Sequence, residues 1–361
     1  MKIAIIIGTR PEIIKMAPII HFCTKENLNF YIIHTEQHYD KGLSEQFFDD
    51  LNLRKPDYSL NVGSGTHGMQ TGNALIGIEK ILIKIVPDIV LVQGDTNTAL
   101  AGALAAVKLH IPVGHIEAGL RSYDLRMPEE HNRRLIDHIS SYLFAPTEEN
   151  FKILKGENVW GEVFITGNTV IDACIRHYKI ALERSSIRKI LRFKKFVLCT
   201  IHRAENIDDL TNLQNIVEIL VNFPDNLVLP IHPHTKKQLE LHNLITKLKT
   251  PHIQIIPPAG YLDLLWLLKH CMYVLSDSGG IQEEATAPVF NKFVFVLREK
   301  TDRIEAVKKG FAMVLGTIPQ KVLSEVQKNK DKIINLPKKP SPYGDGNAAQ
   351  KIIRVIQQKL H

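Results

Sequence analysis

Three carboxylates and a histidine each stand just behind a short apolar run or at the opening of a helix in this chain of 361 residues. Asp95 lies in Gln93-Gly94-Asp95-Thr96-Asn97-Thr98, and Glu117 in Gly114-His115-Ile116-Glu117-Ala118-Gly119-Leu120-Arg121. Glu129 lies in Met127-Pro128-Glu129-Glu130-His131-Asn132-Arg133-Arg134, and His202 in Thr200-Ile201-His202-Arg203-Ala204-Glu205-Asn206. Side chains that give and take protons, placed after successive strands, suggest acid–base work. Each has a plainer reading. Asp95 also fits a helix N-cap. Glu129 and Glu130 follow a proline and precede Arg133 and Arg134 by four residues, which is ordinary helix-start grammar with two surface pairs. Glu117 is harder to explain away, because a charge between an apolar strand and a glycine is poorly solvated unless it is used.

A second set of residues could hold an anion. In Ser276-Asp277-Ser278-Gly279-Gly280-Ile281-Gln282-Glu283-Glu284 an apolar run ends in small residues and a helical pattern begins. Such a junction presents free backbone N–H groups at the positive end of a helix dipole, and glycines let a diphosphate approach closely. Glu284, about one turn further on, could accept hydrogen bonds from ribose hydroxyls. The alternative is a strand–helix turn capped by Ser and Asp. Gly8-Thr9-Arg10-Pro11-Glu12 opens the first helix with proline in its first turn, and Arg10 and Lys15 flank that turn. His202 with Arg203 beside it, and His232 after the next strand, extend the basic set. Acid–base groups together with a basic, glycine-rich helix start imply chemistry on a nucleotide sugar.

Alternating strands and helices must position these residues. Runs rich in Ile and Val recur at 3–7, 30–33, 88–92, 112–116 and 163–166, each followed by a stretch of helical period. A second series falls at 196–200, 227–230, 252–256, 272–275 and 293–297. Near-continuous apolar strands with helical crossovers predict parallel sheets covered on both faces. The polar, basic stretch near 184–195 separates the two series. The expectation is an α/β protein of two Rossmann-like, doubly wound domains facing a central cleft. Residues 1–185 would carry the carboxylates and 186–345 the anion site, with a last helix over 346–361 crossing back to the first domain. In such sheets ligands sit beyond the carboxyl ends of the strands, where the residues above fall.

Composition narrows the function. The net charge of +7 comes largely from lysine runs in the C-terminal third, at 308–309, 328–332 and 338–339, without interleaved aromatics. That favours a solvated surface over nucleic acid, which is not expected as a partner. No apolar run approaches the ~18–20 residues that span a bilayer, and the chain enters a strand directly, so no membrane association and a cytoplasmic location are expected. The four cysteines are scattered, and the sixteen histidines include no HExxH, so no metal and no cofactor is expected.

The motifs in order, GTRPE (8–12), QGDTNT (93–98), GHIEAGLR (114–121), PEEHNR (128–133), HRAEN (202–206), SDSGGIQEE (276–284) and SPYGDG (341–346), resemble those of the non-hydrolysing UDP-N-acetylglucosamine 2-epimerases over nearly the whole chain. The resemblance implies a GT-B fold, a homodimer, and interconversion of UDP-GlcNAc and UDP-ManNAc as a precursor for cell-surface glycans. It assigns Asp95, Glu117, Glu129 and His202 to catalysis. It assigns Arg10, Lys15, Ser278, Gly279, Gly280, Glu284 and Arg303 to UDP. Ile304 departs from the proline usual after that arginine. Many bacterial members also bind a second UDP-GlcNAc as activator through a Gln-His loop and a basic-Gln pair. Gln37-His38 is present, but Ser64-Gly65 stands where the pair would align, so weak or absent activation is expected. A hydrolysing 2-epimerase, a GT-B glycosyltransferase and a nucleotide-sugar sensor are the competing readings.

Overall fold

Two parallel sheets carry the chain, each covered by helices. The structure, a computed structural model, describes residues 1–37, 47–334 and 337–360. The chain divides into two compact units, Met1–Ala173 with Tyr343–His361, and Cys174–Pro342.

In the first unit the strands are β1 (Lys2–Ile7), β2 (Asn29–His34), β3 (Tyr58–Ser59), β4 (Ile89–Gln93), β5 (Val113–Ile116), β6 (Tyr142–Ala145) and β7 (Glu162–Ile165). They form one sheet in the order β3-β2-β1-β4-β5-β6-β7, all parallel. The sheet centre is apolar on both faces: Ile3 through Ile7 and Ile89 through Val92 are fully buried. The helix Asn97–Lys108 is alanine-rich and packs tightly on β4 and on the helix His67–Ile85. A last helix, Ala348–Leu360, lies against the helix Arg10–Lys25. Its first N–H groups, those of Ala348 and Ala349, donate to the buried Asp172 carboxylate at 3.2 and 2.9 Å.

The second unit holds β8 (Val197–Thr200), β9 (Leu227–Pro230), β10 (Ile253–Ile256), β11 (Val274–Ser276), β12 (Val294–Val296) and β13 (Ala312–Val314). Their order is β10-β9-β8-β11-β12-β13, again all parallel. Its core gathers Val197, Leu227, Leu275 and Phe295 with the helices Leu210–Val221 and Pro319–Ile334. The two doubly wound α/β units match the fold expected from the strand–helix alternation.

In each sheet the strand order reverses once, between β1 and β4 and between β8 and β11. Those switch points are where open α/β sheets leave room for a ligand beyond the strand ends. Register then decides which residues emerge side by side. Gln93 pairs with Ile116, so Gly94-Asp95 and Glu117 leave the sheet together. Ser276 pairs with Thr200, so Asp277 and the Ile201-His202 turn do the same.

Candidate active site

At the first switch point Glu117 follows β5 in a left-handed backbone conformation, φ 72°. A side chain is uncommon there, and the strain persists only where the surroundings enforce it. Its carboxylate is held by Lys15, whose Nζ lies 2.7 and 2.5 Å from the two oxygens, and by the Gln93 amide. Lys15 comes from the helix Arg10–Lys25, which starts beyond β1, with Pro11 in its first turn. Glu12 in that turn is buried and accepts from Gly8 N, Thr9 N, Thr9 Oγ1 and Thr96 Oγ1, at 2.7–3.1 Å. It ties the turn after β1 to the turn after β4. Burial outweighs those four donors and pushes the Glu12 carboxyl up to about 7.

Asp95 follows Gly94, whose φ of +70° suits only glycine readily. The helix cap is the next residue, Thr96, which accepts from Ala99 N at 3.0 Å, so Asp95 is left for other work. Its carboxylate takes a hydrogen bond from Arg133, and its carbonyl takes one from the Asn132 amide at 2.9 Å. Burial raises the Asp95 carboxyl above the usual carboxylate range. The Glu117 charge adds to that, against the pull of Arg133 and Lys15.

The helix Pro128–Ile139 supplies Arg133 and Asn132. Arg133 is spent on Asp95 and on Glu130 (3.2 Å), not on Glu129, so the expected Glu129–Arg133 pair is absent. Glu130 is the structural acid of this helix. It is fully buried, accepts from Ser122 N and Oγ at 2.8 and 2.9 Å, and pairs with Arg134 at 3.0 Å. Burial would raise its carboxyl, but those donors and Arg133 outweigh it and hold it below the usual range. Glu129 is half-buried, and no hydrogen bond or ion pair reaches it among the described residues. Arg10 is exposed and sits over the Phe47 ring, 5.1 Å from its centre.

At the second switch point Asp277 is the fully buried anchor. It accepts from His202 N, Arg203 N and Asn206 Nδ2 at 3.0–3.2 Å, which fixes the turn that follows β8. The His202 ring projects with about 40 % of its side chain exposed, 3.7 Å from the Asp277 carboxylate and near His232. Burial, with the Arg203 and His232 charges, pushes the His202 ring below its usual value against the pull of Asp277. Ser278 caps the short helix Gly279–Glu284. A Cβ at Gly279 would meet Arg203, Asp302 and Arg303 at 3.4–3.8 Å, so this glycine borders a cluster of guanidinium groups. Arg303 pairs with Glu283 at 2.7 Å and with Asp302 at 2.8 Å. Burial raises the Asp302 carboxyl, but Arg303, Arg298 and Arg203 together hold it far below the usual range. Glu284 is buried at the end of the same helix.

The sheet registers thus bring Asp95, Glu117 and Lys15 together in one unit. In the other they bring His202, Ser278, Gly279, Gly280 and Arg303 into one neighbourhood. Sequence reasoning missed Gln93, Arg298 and Asp302 as partners. It saw Arg133 only as a surface pair, since a four-residue spacing points to the same helix and not to the next strand end. Among the described residues no three His, Cys, Asp or Glu side chains group so as to hold a metal.

Known proteins resemble this chain in sequence and in fold. The family model described as UDP-N-acetylglucosamine 2-epimerase matches residues 21–357. The UDP-N-acetylglucosamine 2-epimerase of Methanocaldococcus jannaschii is 46 % identical over 366 residues, covering 99 % of each chain. The crystal structure of the M. jannaschii UDP-GlcNAc 2-epimerase, in complex with UDP-GlcNAc and UDP, superposes with a TM-score of 0.87 over 99 % of this chain and 100 % of that one. The UDP-2,3-diacetamido-2,3-dideoxy-D-glucuronate 2-epimerase of Pseudomonas aeruginosa is 40 % identical, again over 99 % of each chain. With the family match spanning nearly the whole sequence, the chain belongs to the UDP-N-acetylglucosamine 2-epimerase family.

Proposed function

We propose that the protein interconverts UDP-GlcNAc and UDP-ManNAc without hydrolysis. The observation that carries this is the pairing of two carboxylates, Asp95 and Glu117, in the first unit. They leave adjacent strands in register, and each is held by a basic partner. A base takes the proton from C2 of the sugar. The C2–H electron pair becomes the C1–C2 double bond, and the C1–O bond breaks with its pair going to UDP. The 2-acetamidoglucal and UDP stay bound. UDP adds back to C1 as a proton arrives at C2 from the other face.

No carbonyl is attached to C2, so its proton is barely acidic. Stabilising the leaving diphosphate and the positive charge growing at C1 therefore supplies much of the rate. Asp95 and Glu117 share the proton work, with Glu129 beside them. The raised Asp95 carboxyl suits a group that must hold a proton part of the time. Ser278, Gly279, Gly280 and Arg303 take the diphosphate, with Arg10 and Lys15 contributing charge and Glu284 the ribose. His202, whose ring its surroundings hold below its usual value, donates to the departing diphosphate. The resemblance also carries a homodimer. Met69, Ile76 and Ile83, exposed apolar side chains seven residues apart on the helix His67–Ile85, support it.

The P. aeruginosa relative favours one second reading, the same C2 inversion on a sugar bearing a C3 acetamido group and a C6 carboxylate. Proton NMR in deuterium oxide separates the cases. UDP-ManNAc with deuterium at C2 of both sugars is the expected product from UDP-GlcNAc. Free ManNAc with UDP would sink the non-hydrolysing reading. Turnover only of the diacetamido-glucuronate would move the assignment to that substrate.

A further inference from the structure

Bonded to the two turns that carry Asp95 and Glu117 lies a fully buried pair that the mechanism does not use. His115 is in the middle of β5, and Asp137 is on the helix Pro128–Ile139. His115 Nδ1 lies 2.7 Å from Asp137 Oδ1, and its Nε2 lies 2.9 Å from the Gly94 carbonyl oxygen. The Gly94 carbonyl can only accept, so Nε2 donates to it, and Nδ1 meets the Asp137 carboxylate. Asp137 Oδ2 in turn accepts from Gly119 N at 3.2 Å and pairs with Arg121 at 2.8 Å, which is itself held by Glu157. Gly94 is the residue before Asp95, and Gly119 is two residues after Glu117. One imidazole–carboxylate unit therefore grips both turns that carry the acid–base groups, and both turns run through positive φ, at Gly94, Glu117 and Gly119.

We propose that His115 and Asp137 are positioning residues for the epimerisation, setting Asp95 against Glu117 through the Gly94 and Gly119 peptides. The inference rests on the function proposed above. A displacement of a reacting group by about 1 Å can cost roughly a hundredfold in rate, so loss of this link falls on kcat more than on KM.

Two amides divide the ring's bonds. His115→Gln places its amide where Nε2 was and keeps the Gly94 contact while giving up Asp137. His115→Asn reaches only as far as Nδ1 and does the reverse. Steady-state kinetics with UDP-GlcNAc, with unfolding midpoints measured alongside, read the difference. The expected result is a similar fall in midpoint for both. For His115→Asn, kcat drops about a hundredfold with KM changed less than about threefold, while His115→Gln stays within about tenfold of the parent kcat. Equal losses of kcat in the two variants, or full kcat in His115→Asn, would overturn the proposal. Should His115→Asn fail to fold, a folded His115→Gln with kcat down about a hundredfold overturns it and one with kcat kept supports it. Absence of turnover in the parent protein would instead bring down the functional reading beneath it.

Discussion

Asp95 and Glu117 differ in how they are held, and that difference sets what their removal should do. Glu117 faces Lys15 and Gln93 in a strained backbone, whereas Asp95 hangs between Arg133 and the Asn132 contact to its own carbonyl. Asp95→Asn and Glu117→Gln keep the side chain's shape and remove a carboxyl that can take up a proton. Turnover should fall by at least about a thousandfold in each, with UDP affinity in calorimetry largely kept. Substantial activity in either variant removes that residue from the proton path. Glu12 makes a prediction of a different kind. Its carboxyl, ordinarily near 4.5, is pushed up to about 7 in the folded protein, so the native state binds the proton more tightly than the unfolded one. The associated stability is fully present below about pH 4.5 and is lost as pH rises through about 7, a contribution on the order of 3 kcal/mol. Asp172, raised to about 6 by burial, acts in the same direction. Denaturation midpoints followed from pH 4.5 to 8 should decline for the parent. The decline should be shallower for Glu12→Gln, which keeps the hydrogen-bonding shape without the charge. Coincident slopes would mean that Glu12 does not titrate in that window.

At the scale of the elements, two glycines at strand ends look alike in the sequence and differ in the structure. A Cβ on Gly8, just beyond β1, would lie 2.1 Å from Thr98 Oγ1 and 2.5 Å from Thr35 Oγ1. Those two hydroxyls bond each other, and Thr98 also donates to Gln37, so the clash would spread through a buried network. Gly279, beyond β11, has room for a methyl group in ordinary contact with the arginine cluster. Gly8→Ala should therefore lower stability by roughly 1–3 kcal/mol. Gly279→Ala should leave the denaturation midpoint in place and weaken UDP binding. Equal loss of stability in the two would contradict this division. The sequence showed the long buried strands, since β1 and β4 are unbroken apolar runs. It did not show β3, β6 or β13, which are two, four and three residues long. Two residues are too few for β3 to register, whereas β6 (Tyr-Leu-Phe-Ala) and β13 (Ala-Met-Val) are as long as strands that did register but hold a single Ile or Val between them, so the run pattern passes over them. The site was legible to the same degree. Asp95 and Glu117, next to strong strands, stood out, while Arg298 and Asp302 lie in a loop that no motif marks and that meets Glu205 and Arg203 only through the fold.

Over the whole molecule the chain builds one parallel sheet, then a second, and then returns to finish the first unit with the helix Ala348–Leu360. Periodicity revealed the two strand series, and seven motifs in order revealed the family. Neither could reveal how residues in the Gln37 region are employed, because a glutamine reads the same whether it faces a ligand or a neighbouring loop. Gln37 is buried, and its side-chain oxygen accepts from Thr98 N and Oγ1 at 3.1 and 2.8 Å. Its carbonyl receives the Gln70 amide, which also reaches Gly63, and Asn97 joins Gln70 to the Asn132 contact on Asp95. His38 lies outside the described residues. The glutamine that would greet an activating second UDP-GlcNAc is thus occupied by the protein's own threonine and serves the fold, and Ser64-Gly65 supplies no basic partner for a diphosphate. Initial rates should accordingly follow UDP-GlcNAc hyperbolically, with a Hill coefficient of about 1. UDP-ManNAc alone should be converted without added UDP-GlcNAc. Gln37→Ala should cost stability through the orphaned Thr98 N–H and leave the shape of the rate curve unchanged. A sigmoidal curve that Gln37→Ala makes hyperbolic would show the opposite, that the internal bonds open to admit an activator.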